Sequence, residues 1–165
     1  VTQRRPGRAV HTQSTDSEYA FAHGHGDSAR LAQIYGLAID ETGGLPALAA
    51  AGDGAITLVD FFRLRATALY EDGRHDGGTG VEAMLRYAAT SGRCLEAVGG
   101  RFLVQALPAG VLWGQDDDWD LVVVAEYPSR DAFLTLLADA DYEQAFVHRR
   151  AAVERQRVTA AATLS

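Results

Sequence analysis

Not one lysine occurs among the 165 residues; all 15 cationic Lys+Arg positions are arginine. Schiff-base catalysis, pyridoxal-phosphate anchoring and the P-loop lysine are therefore excluded, since each needs a primary amine. Cysteine occurs once, as Cys94. No internal disulfide can form, which fits a reducing cytoplasm, and no thiolate-stabilising neighbour is evident beside it. No apolar run approaches the roughly 18 residues that span a bilayer. Arg4, Arg5 and Arg8 are not followed by the apolar stretch of a secretory signal. GxSxG, a Gly-rich dinucleotide fingerprint and the P-loop are also missing, so no motif calls for an organic cofactor. A basic stripe is lacking too. The formal net charge is −7 and the pI about 5.1, with dispersed arginines, which argues against nucleic acid as a partner. The expectation is a cytoplasmic protein that meets neither membrane nor nucleic acid.

What is present is an ordinary globular composition, 47% hydrophobic and 22% charged, in a chain long enough to bury a core without disulfides or a structural metal. Residues 1–29 mix Ser, Thr, Gln, Gly and charge without a period and read as a flexible arm; residues 30–165 read as one domain. "IYGLAIDETGGLPALAAAG" reads as a short extended piece, a turn at Gly43-Gly44 and a helical turn opening at Pro46.

Further on the pattern is more regular. "AITLVDFFRLR" (55–65) is β-branched and aromatic, and predicts a buried strand. "GVEAMLRYAATSGRCLEAVGG" (80–100) places Met84, Leu85, Ala88, Leu95 and Val98 on one helical side, ended by Gly99-Gly100. "RFLVQAL" predicts a strand, "VLWGQDDDWDLVVVAEYP" a short piece, an acidic turn and a long strand. Ser129 is the expected N-cap of one or two helices, and "RVTAAATLS" a last, weak strand. Strand–helix–strand–strand–helix–strand is the split βαβ, or ferredoxin-like, α+β plan with an antiparallel sheet. "LVVVA" (121–125) is apolar at every position, so both its faces want cover. Helices can supply one face, and the sheet of an identical subunit the other; a homodimer is expected.

Four stretches carry a resemblance. "LVDFFRLR", "GVEAMLRY", "WDLVVVAEYPSRDAFLTLLADADY" and "HRRAAVERQRV" resemble the dimeric α+β barrel superfamily, and within it the group catalogued as domain of unknown function 1330. Asp60 stands where that group usually has Asn, and Met84 where Tyr is common. The resemblance covers about residues 34–160. It implies a pocket between sheet and helices. Superfamily relatives include cofactor-free monooxygenases, polyketide cyclases, muconolactone isomerases and haem-degrading oxygenases.

One feature of the C-terminal helix stands out. Wound at about 100° per residue, "YEQAFVHRRAAV" (142–153) sets Arg149 in the same stripe as Tyr142, Phe146 and Val153. A guanidinium in an apolar face needs acceptors. An internal carboxylate such as Glu126 or Asp60 can pair with it, and it can grip a ligand carboxylate or enolate; the two roles are not exclusive. His148, beside it, is a candidate general base or a helix-end hydrogen bonder. On the first strand, alternation separates Asp60 from Arg63 and Arg65. Asp60 among Leu58, Phe61 and Phe62 is a candidate proton shuttle, and Arg63 a candidate binding residue.

Phe62, Trp113, Trp119 and Tyr127, with Tyr87 and Phe61, could wall a planar substrate or form plain core. "DDDWD" (116–120) lacks calcium-loop spacing, and His23 with His25 are too few for zinc, so no metal is expected. His75 lies in a Gly-rich loop that could act as a lid.

The expected function is proton abstraction by His148 or Asp60 from an aromatic or polyketide-like molecule in a biosynthetic pathway. Arg149 would hold the enolate in a cyclase, isomerase or monooxygenase type of reaction without organic cofactor. The alternatives are a non-catalytic ligand-binding or partner protein, and a haem-dependent oxygenase using His148 or His75.

Overall fold

In a computed structural model the described residues are 30–31, 33–36, 48, 50–52, 54–73, 78–115 and 118–162. The arm at 1–29, the Gly43-Gly44 turn, the His23/His25 pair and His75 lie outside them. The elements are β1 (Ile56–Leu64), α1 (Gly80–Ala97), β2 (Arg101–Ala106), β3 (Leu121–Tyr127), α2 (Arg130–Leu137), α3 (Ala140–Ala152) and β4 (Val153–Ala162). The sheet is antiparallel between neighbours in the order β2-β3-β1-β4. β3 is therefore inserted between β1 and β2, the strands that α1 joins, which is the ferredoxin-like α+β arrangement.

Local chemistry explains the boundaries. Thr79 and Glu82 form a reciprocal capping box at the start of α1. Gly99, at φ +77°, ends the helix while Gly99 and Gly100 return their N–H groups to Glu96 and Leu95. Gly80 admits no side chain: a Cβ there would meet the carbonyl oxygens of Arg65 and Ala152. Those groups are already tied, Gly80 N–H to Arg65 O at 3.0 Å and Arg65 N–H to Ala152 O at 2.8 Å. The end of β1, the start of α1 and the end of α3 are thus one packed junction. Ser129 caps α2 as expected, and Asp139 caps α3 by accepting from the Tyr142 N–H at 2.8 Å.

Three expectations are corrected. Ile34 and Tyr35 are helical, not extended; Tyr35 packs edge-on against Phe146 and donates its hydroxyl to Leu137 O at 2.6 Å, so tertiary contact overrides local preference. On α1 the buried set is Gly80, Ala83, Met84, Tyr87, Ser91 and Leu95. Leu85 is 63% exposed and Ala88 is exposed as well, because the face is rotated toward Tyr87. β4 is no weak tail: it starts directly at the end of α3 and pairs with β1 along its length.

The two faces of the sheet differ. Strand pairing puts Ile56, Leu58, Asp60 and Phe62 on the same side as Val123, Ala125 and Tyr127, against the helices. Thr57, Val59 and Phe61 lie on the opposite side with Val122, Val124 and Glu126. That second side stays half-buried in the single chain, and every residue of β2 is exposed.

Candidate functional site

Between the helix-facing side of the sheet and the helices lies a cavity of about 520 Å³. Leu58, Phe62, Met84, Phe133, Leu136 and Phe146 make most of its lining apolar, while Asp60, Tyr87, Tyr127, Tyr142, Arg149 and Gln156 give it polar groups. Its polar centre is Arg149. The Nη2 of this residue donates to Asp60 Oδ1 at 3.1 Å and to Gln156 Oε1 at 3.0 Å. Nε donates to the same Gln156 oxygen at 3.2 Å, and Nη1 to the Tyr87 hydroxyl at 3.3 Å. The guanidinium carbon sits 4.7 Å from the ring centre of Phe62 and 5.2 Å from that of Phe146. Tyr87 and Tyr142 share a hydroxyl–hydroxyl hydrogen bond of 2.8 Å.

The helix-to-strand junction builds this arrangement. Because β4 follows α3 without a loop, Gln156 folds back beneath Arg149 on the preceding turn. Burial pushes the Asp60 carboxyl above its ordinary value, and the charge and hydrogen bond of Arg149 pull it partly back. Burial opposes the charge on Arg149, but Tyr87, Asp60 and Tyr142 outweigh it and hold the guanidinium protonated. Burial also lifts the phenols of Tyr142 and Tyr127 and takes Tyr35 up to about 12.

Of the residues singled out in the sequence, Asp60, Arg149, Phe62 and Tyr127 come together in this cavity. Between the partners considered for Arg149, the carboxylate is Asp60; Glu126 pairs instead with Arg101 at 2.8 Å. His148 is not among the lining residues. Its Nδ1 lies 2.8 Å from the Tyr70 hydroxyl, which also accepts from Arg86 Nη1 at 3.1 Å.

Arg63 points to the other side of the sheet, bonded to Asp120 Oδ1 at 2.9 Å. Trp119 packs against Phe61 and under Arg155, and Trp113 is 90% exposed. None of these three lines the cavity. Tyr142 and Phe146 were visible as members of the Arg149 stripe. Gln156 was not, since its place depends on where β4 begins.

No histidine is among the described residues that line the cavity. Among the described residues no group of three His, Cys, Asp or Glu side chains could hold a metal ion. No helix there is long and apolar enough to cross a membrane.

The family model "Domain of unknown function (DUF1330)" matches residues 79–162. The chain is similar to RPA0582, a protein of unknown function from Rhodopseudomonas palustris, at 36% identity over 73% of this chain and 92% of that one, with a TM-score of 0.65. The methylated form of RPA0582 gives 37% identity, 73% and 90% coverage and a TM-score of 0.67. SnoaB, a cofactor-independent oxygenase from Streptomyces nogalater, is 20% identical over 68% of this chain and 95% of its own, at a TM-score of 0.44; nothing is transferred at that distance. No curated protein matches the chain.

Proposed function

Given that the chain belongs to the DUF1330 family, we propose that it acts on a small aromatic or polyketide-like molecule by proton transfer, without an organic cofactor. The observation that carries this reading is a carboxylate and a guanidinium paired at 3.1 Å in the wall of an aromatic-lined cavity. Buried charge of this kind is costly to maintain, and perturbed acids in cavities are candidates for proton transfer.

In the proposed step, Asp60 takes a proton from an acidic C–H or phenol of the bound molecule. The C–H or O–H electron pair passes to the ligand oxygen, and Arg149 holds the resulting enolate or phenolate. Negative charge moves from Asp60 to the ligand and stays beside the same cation, so little charge reorganisation is needed. The Tyr87–Tyr142 pair offers the ligand oxygen a further hydroxyl contact. Cyclisation, isomerisation or reaction with O₂ are all open to that carbanion. His148, turned toward Tyr70, is left outside the step.

Hydrogen–deuterium exchange of benzoylacetone, followed by NMR, tests the assignment. Wild type and His148→Ala are expected to accelerate loss of the acidic C–H signal, and Asp60→Asn to slow it by about 10²–10⁴-fold. Loss of exchange in His148→Ala with full exchange in Asp60→Asn would reverse the roles.

The proposal includes a homodimer formed through the side of the sheet away from the helices. Val59, Phe61, Val122 and Val124 form an apolar strip there, half-buried in one chain, of the kind a second sheet covers.

A further inference from the structure

The Asp60–Arg149 pair is one of a cation and an anion whose geometries are not equally dependent on each other. Arg149 is positioned by neutral groups: Gln156 accepts from both Nε and Nη2, and Tyr87 accepts from Nη1. Asp60 meets it through Oδ1 alone, and no hydrogen bond to Oδ2 is found among the described residues. The carboxylate is therefore a partner that can be exchanged while the guanidinium stays in place.

Other charges that could compensate an incoming anion are scarce around Asp60. α1 contributes Tyr87, α3 contributes Tyr142 beside Arg149, β3 contributes Tyr127, and the helical residues before β1 contribute Tyr35. All are phenols. On β4, Arg157 touches the cavity lining, but its guanidinium lies 4.7 Å over Phe61 and 5.9 Å from the Trp119 ring centre, on the opposite side of the sheet. β2 and α2 contribute no charged side chain to the lining. A ligand carboxylate added to the intact pair would leave an uncompensated buried anion, at a cost of several kcal/mol.

We propose that the cavity takes an acidic aromatic ligand in net-neutral form: the ligand anion replaces the Asp60 carboxylate on Arg149, and Asp60 takes up one proton. The inference rests on the ligand cavity proposed above and adds a ligand class, ionised aromatic acids, and its regulation by pH. With such a ligand bound Asp60 is neutral, so the proton transfer proposed above runs only on ligands that enter un-ionised, and aromatic acids compete with them. The balance is simple. Ligand anion, solvent proton and ionised Asp60 become an anion–Arg149 pair and a neutral carboxylic acid. The desolvation that already raises Asp60 acts in the same direction. Because a proton is consumed on binding, affinity falls as pH rises, roughly tenfold per unit where free Asp60 is ionised.

Calorimetric titration of the full chain with β-naphthoate, in buffers of different ionisation enthalpy, tests this directly. About one proton should be taken up per ligand bound wherever free Asp60 is ionised, with Kd weakening as pH rises and approaching tenfold per unit there. β-Naphthol, which enters as the neutral phenol, should bind with no uptake and no slope. Asp60→Asn should bind β-naphthoate without proton uptake, and more tightly than wild type at about pH 8. β-Naphthoate binding to wild type without proton uptake overturns the inference alone, whether or not the variant folds. Failure of both probes to bind overturns the ligand-cavity reading and this inference with it.

Discussion

Two ion pairs grow from the same strand and meet opposite fates. Asp60 and Arg63 are three places apart on β1, so alternation sends them to opposite sides of the sheet. Asp60 pairs with Arg149 beneath the helices, with side chains 11% and 10% exposed. Arg63 pairs with Asp120 on the other side, with both side chains 37% exposed, and reaches toward Asp118, which in turn binds Arg155 at 3.0 Å. Inside, the charges depend on each other and on a few fixed dipoles. Outside, water and neighbouring charges share the load. A buried pair is weak evidence of stability as such, which is why the inner pair is read as a site and the outer one as a surface network.

The sharpest way to break that contrast is to remove one inner partner. Arg149→Met keeps an apolar stem but leaves Asp60 buried with no cation. The folded state should lose about 3–5 kcal/mol, read from urea denaturation midpoints. Asp60→Asn/Arg149→Met should recover most of that loss, because no uncompensated charge remains and only the packing differs. If Arg149→Met alone is as stable as wild type, Asp60 does not depend on the cation and the inner region behaves like the outer one.

A second break is to charge the bare side of the sheet. Val124 stands opposite Val59 and Val104, with no arginine directly across from it. Val124→Glu would place an unpaired carboxylate in the proposed sheet–sheet interface at a cost of about 3 kcal/mol. Self-association should weaken on the order of 10²-fold, measured by sedimentation equilibrium, while the isolated fold keeps its circular dichroism. An unchanged dimer would place the interface elsewhere.

Much of this was legible in the sequence, and the reasons differ by element. β1 and β3 announced themselves by β-branched and aromatic runs, α1 by its apolar side and the closing Gly99-Gly100 pair, and the pairing of Asp60 with Arg149 was one of the two carboxylate partners considered. What was not legible depended on rotation or register. Leu85 and Tyr87 lie two positions apart on α1, so a modest turn of the helix decides which is buried. His148 and Arg149 are adjacent, and one step around a helix, about 100°, carries the imidazole from the cavity to Tyr70. Trp113 and Trp119 are aromatic in composition but both sit on the β2–β3 connection, where no periodicity says which side they take. Gln156 was invisible because only the abrupt passage from α3 to β4 brings it under Arg149.

The smallest expected effect lies in the outer pair, and it sharpens the comparison rather than breaking it. Arg63→Met removes the bond to Asp120 and the longer contact to Asp118. Asp120 does not depend on Arg63 alone, because its Oδ2 accepts from the Leu64 N–H at 2.7 Å, at the point where the β1–β4 register shifts. Asp118 keeps Arg155. No charge is left sealed from water, so the loss should be about 0.2–1 kcal/mol and should shrink in high salt. Denaturation of Arg63→Met and Arg149→Met, each at low and high ionic strength, puts the difference on one scale. The outer penalty should fade with salt and the inner one persist, because screening ions reach the former and are excluded from the latter. A salt-insensitive cost at Arg63 comparable to that at Arg149 would mean that the outer side of the sheet is covered in solution, as the proposed dimer requires of its centre but not of this edge.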